Sequence, residues 1–273
     1  MSKPSYTQYT EAELLTVLVS RDLEDDGHGF IGLGTGGRAF TMAVGIPSVA
    51  AELARRHRGI DFVTQYGVTF EPDLTKTPAN FADPYLLAWP SNAQVRVEEC
   101  LEYFRRGKMT VSFTSGAQID RRGNLNTVAI GAHDKPKVRL VGPIAQPDHC
   151  TYARNTFVIM PQEKRTFVDK LDYRSALGFG DAPGDRKRLG VPGGGPRKVF
   201  TDLCVWHFDP VTETMRVESL HEGVTRDDIV ATCGFVVEFS PRLHQSLAPT
   251  AEELRLVRDE IDPEGLFLGA KIA

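Results

Sequence analysis

The sequence predicts an α/β fold, an open and mostly parallel sheet with helices on both faces. Three observations carry that expectation. Short β-branched or aromatic runs (residues 30–34, 60–64 and 111–114) alternate with runs of helical period (10–22, 47–56 and 98–106). Turns containing glycine follow the first strands, as at Gly34 and Gly67. The chain has 273 residues, 41% hydrophobic and 25% charged, enough to bury a large core.

The elements follow in order. Thr10 is an N-cap with Glu13 at capping-box spacing, and Leu14, Leu15, Leu18 and Val19 give the helix one apolar face. Residues 30–34 read as a buried strand entering a glycine-rich turn. Pro47 suits the first helical position, and the helix runs on to residue 56. A strand over 60–64 ends in the turn Gln65-Tyr66-Gly67. In open α/β sheets ligands gather outside the carboxyl ends of the strands, so the Gly34 and Gln65 turns are expected on one rim. After the helix at 98–106 come the strand 111–114, a turn at 120–124 and a strand at 125–130. Runs at 156–160 and 199–208 read as later strands. The stretch 178–196, rich in Gly, Pro and charge, is the longest irregular segment. Thr250 opens an amphipathic helix to residue 261, with Glu252 and Glu253 early and Arg258 late. No linker interrupts the chain, so residues 1–273 are read as one domain.

Composition narrows the function classes. With 32 Lys+Arg against 36 Asp+Glu the net charge is −4, which leaves no basic footprint for nucleic acid. No apolar run reaches the roughly 18 residues a membrane helix needs. Residues 1–6 lack a secretory apolar region, so a cytoplasmic protein is expected. Cys100, Cys150, Cys204 and Cys233 form no CxxC pair, which argues against a disulfide framework or a zinc site. Buried thiols are the ordinary reading, with Cys150 beside His149 the one place to look for a Cys/His nucleophile.

Two motifs stand out. Residues 32–37, Gly-Leu-Gly-Thr-Gly-Gly, imitate a dinucleotide turn. They lack an evident helix directly behind them and an acidic residue at a strand end about 20 residues on. They read instead as a turn allowing close backbone approach. Gly116-Ala117-Gln118-Ile119-Asp120 with Gly123-Asn124-Leu125-Asn126 is more informative. Its turn chemistry explains part of it, and Gln118 and Asn126 remain as polar amides near the expected rim.

These last residues resemble the GAxQxD…GNxN signature of class I coenzyme A transferases, second (β) subunit. The likeness extends through residues 45–54, 160–167, 170–173, 188–193 and 260–263, and is strongest to the β chain of the glutaconate CoA-transferases. It implies the fold above and an obligate α subunit, in an α2β2 assembly, that completes the active site. No bound cofactor is implied; coenzyme A enters as part of the substrate.

The same resemblance exposes two departures. The family's nucleophile is a β-subunit glutamate in an E-[SN]-G turn after the second strand. Here that place is filled by Gln65, and an amide cannot form the acyl anhydride such a carboxylate forms. The family's glycine-rich G-x-G-G loop corresponds to residues 141–150, where Pro143 removes a backbone donor from an oxyanion site. A branch resembling the steroid ring-opening CoA hydrolases also lacks the glutamate, and there the carboxylate belongs to the α subunit. The expected function is therefore the β subunit of a CoA-thioester hydrolase of ring-opening, C–C or thioester-cleaving type. The expected catalytic positions are Gln65, Tyr66 and Gln118; the pocket positions are Gly34, Gly67, Glu71, Gly116, Ala117, Asn126, His149 and Cys150, with no metal. The alternatives are a dicarboxylate CoA-transferase using a carboxylate such as Glu71, a glutaconyl-CoA decarboxylase-like enzyme, and a non-catalytic scaffold.

Overall fold

A computed structural model describes residues 8–32, 36–77 and 88–269. Their contacts cluster into two compact units, one spanning Tyr6–Phe113 with Leu247–Ala273, the other containing Thr114–Ser246. Each has its own core.

In the first unit Thr10 caps helix α1 (Glu11–Asp22) with the expected capping box. Strand β1 (Gly27–Ile31) follows. The next helix starts earlier than Pro47. It begins as α2 (Arg38–Phe40), passes through a π-turn at Thr41–Gly45 and continues as α3 (Ile46–Arg58). A π-turn shifts the hydrogen-bond ladder by one residue, which accommodates a proline lacking a donor within one continuous helical run. Strand β2 (Phe62–Tyr66) reaches two residues further than the sequence suggested, so Gln65 lies in the strand itself. It turns through Gly67, at φ 55°, into β3 (Thr69–Pro72). Strand β4 (Ser91–Gln94), helix α4 (Val97–Arg105) and strand β5 (Val111–Thr114) complete the series. β1 pairs in parallel with β2 and with β5, while β3 and β4 add antiparallel strands beyond β2.

The second unit opens with two short hairpins, β6 (Gln118–Ile119) with β7 (Leu125–Asn126), and β8 (Ala129–Ile130) with β9 (Val138–Arg139). The single strand expected over 125–130 is thus broken, because the Asn126 side chain bonds the backbone at 128 and 129. Helix α5 (Gln146–Tyr152) and strand β10 (Asn155–Ile159) follow, then a short α6 (Asp185–Arg188) inside the irregular stretch. The run 199–208 is two strands rather than one: β11 (Pro196–Phe200) and β12 (Cys204–Phe208) form a hairpin. β13 (Met215–Leu220), α7 (Arg226–Ala231) and β14 (Glu238–Gln245) finish the unit. β10 and β11 run parallel, as do β13 and β14. The core gathers Val158, Phe167, Val199, Trp206 and Val217, with Phe167 stacked on Trp206 at 5.8 Å.

The chain then returns to the first unit as α8 (Ala251–Arg255), capped by Thr250 and Glu253 and continued by a π-turn at Leu256–Ile261. Its Arg258 bonds the buried Glu13 carboxylate of α1 at 2.6 and 2.9 Å.

Two polar side chains of the second unit act as buried stitches. Gln162 Oε1 accepts from Trp206 Nε1 at 3.0 Å and Thr201 Oγ1 at 3.1 Å, and its Nε2 donates to Thr232 at 3.0 Å. The Arg186 guanidinium is buried without a carboxylate bonded to it among the described residues. It donates to the carbonyls of Gly178 at 2.9 Å, Gly193 at 2.9 Å, Cys150 at 3.1 Å, Leu177 at 3.2 Å and Thr151 at 3.3 Å. The irregular stretch 178–196 is therefore pinned from within. Arg186→Met leaves those buried acceptors unmatched and is expected to cost at least about 3 kcal/mol in urea unfolding. Lys187→Met, at an exposed neighbour, is expected to stay within about 0.5 kcal/mol.

Candidate functional site

Gln65 stands one residue from the carboxyl end of β2, beside β1 and opposite Phe70 of β3. Its side chain faces α4 and is fully buried. The amide Nε2 donates to the Gly67 carbonyl at 2.8 Å and to Cys100 Sγ of α4 at 3.1 Å. Its Oε1 is buried with no hydrogen-bond partner among the described residues, and the same is true of His28 Nε2 on β1. These two side chains interact, and His28 is walled by the Phe70 and Tyr103 rings at 5.5 and 5.8 Å. Burial lowers the His28 pKa, opposed by Gln65 and by the Glu71 carboxylate. A neutral imidazole thus faces a neutral amide. Burial also pushes the Cys100 thiol up to about 11, so it stays protonated. Sequence reasoning missed His28 and Cys100, although the alternation of β1 sets His28 and Phe30 on one face.

Tyr66 points the other way and is 1% exposed. Its ring meets Trp89 edge-on at 5.4 Å, and burial raises its phenol pKa strongly. Ser48, whose hydroxyl donates to Val44 O at 2.6 Å, is a polar neighbour. Glu71 sits in β3 at φ 49°, an uncommon conformation for a glutamate. The twist turns its carboxylate back onto β2, where Oε1 accepts from Thr64 N at 2.5 Å and Thr64 Oγ1 at 3.1 Å while pairing with Arg55. Glu71 is a structural clamp between β2, β3 and α3. Gly34, expected on the same rim, lies outside the described residues.

In the second unit the motif 116–126 folds on itself. Gln118 Oε1 accepts from Asn126 Nδ2 at 2.7 Å and from Asp172 N at 3.1 Å, and its Nε2 donates to Asp172 Oδ2 at 2.9 Å. Asn126 also donates to Ala129 O at 2.7 Å. Ala117 N donates to Asn126 O at 2.9 Å, and a Cβ on Gly116 would stand 3.1 Å from the Leu125 side chain. Both amides are buried and engaged, so here they scaffold the loops. Gln146 plays a similar part, bonding Thr114, Ser115, Thr127 and Ser175.

His149 and Cys150, on α5, are both buried and 3.8 Å apart. Burial drives His149 down to about 3 and Cys150 up to about 12. A neutral imidazole and a protonated thiol do not form an activated dyad. The loop before them has a different character. Ile144 lies at φ 45°, costly for a β-branched residue, and is 87% exposed, with Val141 also exposed.

The fold and these motifs belong to one family. The family described as Coenzyme A transferase matches residues 14–232, and the chain belongs to it. Within the family it corresponds to the β subunit. It is 35% identical to the corresponding subunit of 3-oxoadipate CoA-transferase of Pseudomonas knackmussii, covering 92% of each chain. It is 31% identical to the corresponding subunit of glutaconate CoA-transferase of Acidaminococcus fermentans, over 96% of each. A 28% identity links it to the cholesterol ring-cleaving hydrolase IpdB subunit of Mycobacterium tuberculosis, over 80% of this chain and 85% of that one. The crystal structure of the Acidaminococcus fermentans glutaconate coenzyme A-transferase superposes with a TM-score of 0.82 at 27% identity, over 97% of this chain and 100% of that one. The IpdAB structure from Rhodococcus jostii gives 0.76 at 22% identity, over 96% and 98%, a likeness of fold. Among the described residues no helix is long and apolar enough to cross a membrane.

The buried histidine has a measurable consequence. On acidification the unfolded chain protonates His149 near its ordinary value of about 6.5, whereas the native chain holds it neutral down to about 3. Its contribution to stability therefore falls as pH drops through that window, by roughly 2 kcal/mol between pH 7.5 and 5. Urea titrations at the two pH values are expected to show that loss, reduced in His149→Asn. Iodoacetamide at pH 8 is expected to leave Cys150 unmodified until the chain is unfolded, as read by peptide mass spectrometry.

Proposed function

We propose that this chain is the β subunit of a heteromeric enzyme that hydrolyses a CoA thioester intermediate, with the general base supplied by an α subunit. The observation that carries the reading is the chemistry at the end of β2. The position that the family resemblance assigns to a nucleophilic carboxylate holds Gln65, an uncharged amide, fully buried, with Nε2 engaged by Gly67 and Cys100. Such a group neither attacks a thioester nor carries an acyl group. Gln65 instead keeps the shape of the end of β2 from its α4 side and Tyr66 from the opposite side, while the Gln118 network fixes the loops of the second unit. The acid released takes its new oxygen from water. Pro143 in the later loop supports the same reading, since it supplies no N–H to an oxyanion.

The transferase alternative has its own support in the names of the relatives at 35% and 31% identity. It needs a carboxylate on this chain. Glu71 is a poor choice, because Arg55 and Thr64 already occupy it.

The two readings separate in isotopic water. The purified complex of this chain with its α subunit is incubated with a panel of acyl-CoAs in 18O water, with and without a carboxylate acceptor. Hydrolysis is expected to place one 18O in the released acid without acceptor. Turnover strictly dependent on acceptor, with CoA passed to it, would overturn the proposal. Gln65→Ala is expected to lower kcat by at least about tenfold; unchanged turnover would favour the scaffold alternative.

A further inference from the structure

The Gln118 network reaches beyond its own hairpin. Asp172 Oδ2, bonded by Gln118, also accepts from Gly131 N at 3.1 Å, which fixes the start of the β8–β9 turn. Two aromatic groups grow from these anchored points. His133 lies two residues after Gly131, Tyr173 directly follows Asp172, and their rings stack at 4.8 Å and 23°. Both residues are exposed.

The ladder of this hairpin runs past its named strands, with Lys137 N to Ile130 O at 2.8 Å, Leu140 N to Val128 O at 2.9 Å and Gly142 N to Thr127 O at 3.0 Å. The donors fall at 137, 140 and 142, so the ladder slips by one residue between 137 and 140; Arg139 and Val141 share a face, and Lys137 stands at the slip just before them. All three are exposed, as is Lys135 in the turn. Among the described residues no carboxylate pairs with these three cations, and Asp134 is the only acidic residue between 131 and 141. The surface therefore offers, in sequence, an aromatic platform, a run of exposed cations and an apolar end at Val141 leading to Ile144.

We propose that this hairpin is a docking site for the nucleotide end of the CoA substrate. The adenine stacks on the His133–Tyr173 platform, the phosphates lie along Lys135, Lys137 and Arg139, and the pantetheine arm follows Val141. The chemistry matches group by group: an aromatic plane for a base, cations for phosphate oxygens, and apolar surface for the arm. The assignment rests on the reading that the enzyme takes a CoA thioester, and it is independent of whether water or another acid receives the acyl group.

The test uses the complex with the α subunit and two thioesters of one acyl group, the CoA ester and the pantetheine ester, which lacks the nucleotide. Lys137→Ala/Arg139→Ala is expected to raise KM for the CoA ester at least about tenfold with kcat within twofold, and to leave KM for the pantetheine ester unchanged. Lys137→Arg/Arg139→Lys is expected to restore most of the lost affinity, and Tyr173→Leu to raise KM for the CoA ester alone. Equal effects on both esters, or none on either, would overturn the site. Calorimetry with adenosine 3′,5′-diphosphate separates this from the catalytic proposal. If the complex turns over neither ester, about tenfold weaker binding of that nucleotide by the double variant keeps the docking site while the hydrolase reading falls. Unchanged nucleotide binding would remove the docking site whatever the reaction.

Discussion

The loops of the second unit depend on one buried side chain, the Gln118 amide held between Asn126 and Asp172. Asp172 is far from the other two in sequence, and loops of this kind expose backbone groups that need partners when buried. An amide with one acceptor and two donors meets that need without introducing charge, so it binds loop to loop without burying an ion of its own. Asn124 repeats the device, accepting from Gly178 and Gly180 and donating to Asp120. Arg186 and Gln162 extend it to the irregular segment and the core. With that lattice in place, the start of the β8–β9 hairpin is anchored where Gly131 N meets Asp172.

The same preference for neutral polar groups appears at the end of β2. Gln65, Cys100 and the half-buried His28 form a set without net charge, since desolvation disfavours both the imidazolium and the thiolate. The nearby Glu71 is drawn away from it by Arg55 and the Thr64 backbone. An electrically neutral wall suits an enzyme whose reacting carboxylate comes from elsewhere, because it neither competes for the acyl group nor repels that carboxylate. It suits an acyl-carrying nucleophile poorly, which has to be ionised to act.

Much of this was legible in the sequence, and the failures have physical causes. Thr10 with Glu13 and Thr250 with Glu253 announced their helices, because capping is local chemistry. The strand–turn–helix rhythm announced the α/β class and its parallel pairs. Pro47 misplaced a helix start, since a π-turn lets a proline sit inside a helical run. The run 199–208 concealed a hairpin, because the apolar and aromatic residues Val199, Phe200, Val205, Trp206 and Phe208 read as one continuous strand and the reversal at 201–203 uses Thr201 side-chain bonds in place of glycine. At the site, the motif at 116–126 was visible but its work was not. Whether an amide faces a ligand or another loop depends on Asp172, far along the chain, which no local pattern reveals. His28 escaped for a similar reason, as its role comes from its register against β2.

The central claim is that no carboxylate of this chain carries the acyl group or CoA during turnover. It is tested most directly by mixing the complex with a good acyl-CoA substrate, quenching during turnover and taking the intact mass of this subunit. The account predicts the unmodified mass at every time point. A subunit heavier by covalently bound CoA or acyl group, mapped to an Asp or Glu of this chain, would contradict it.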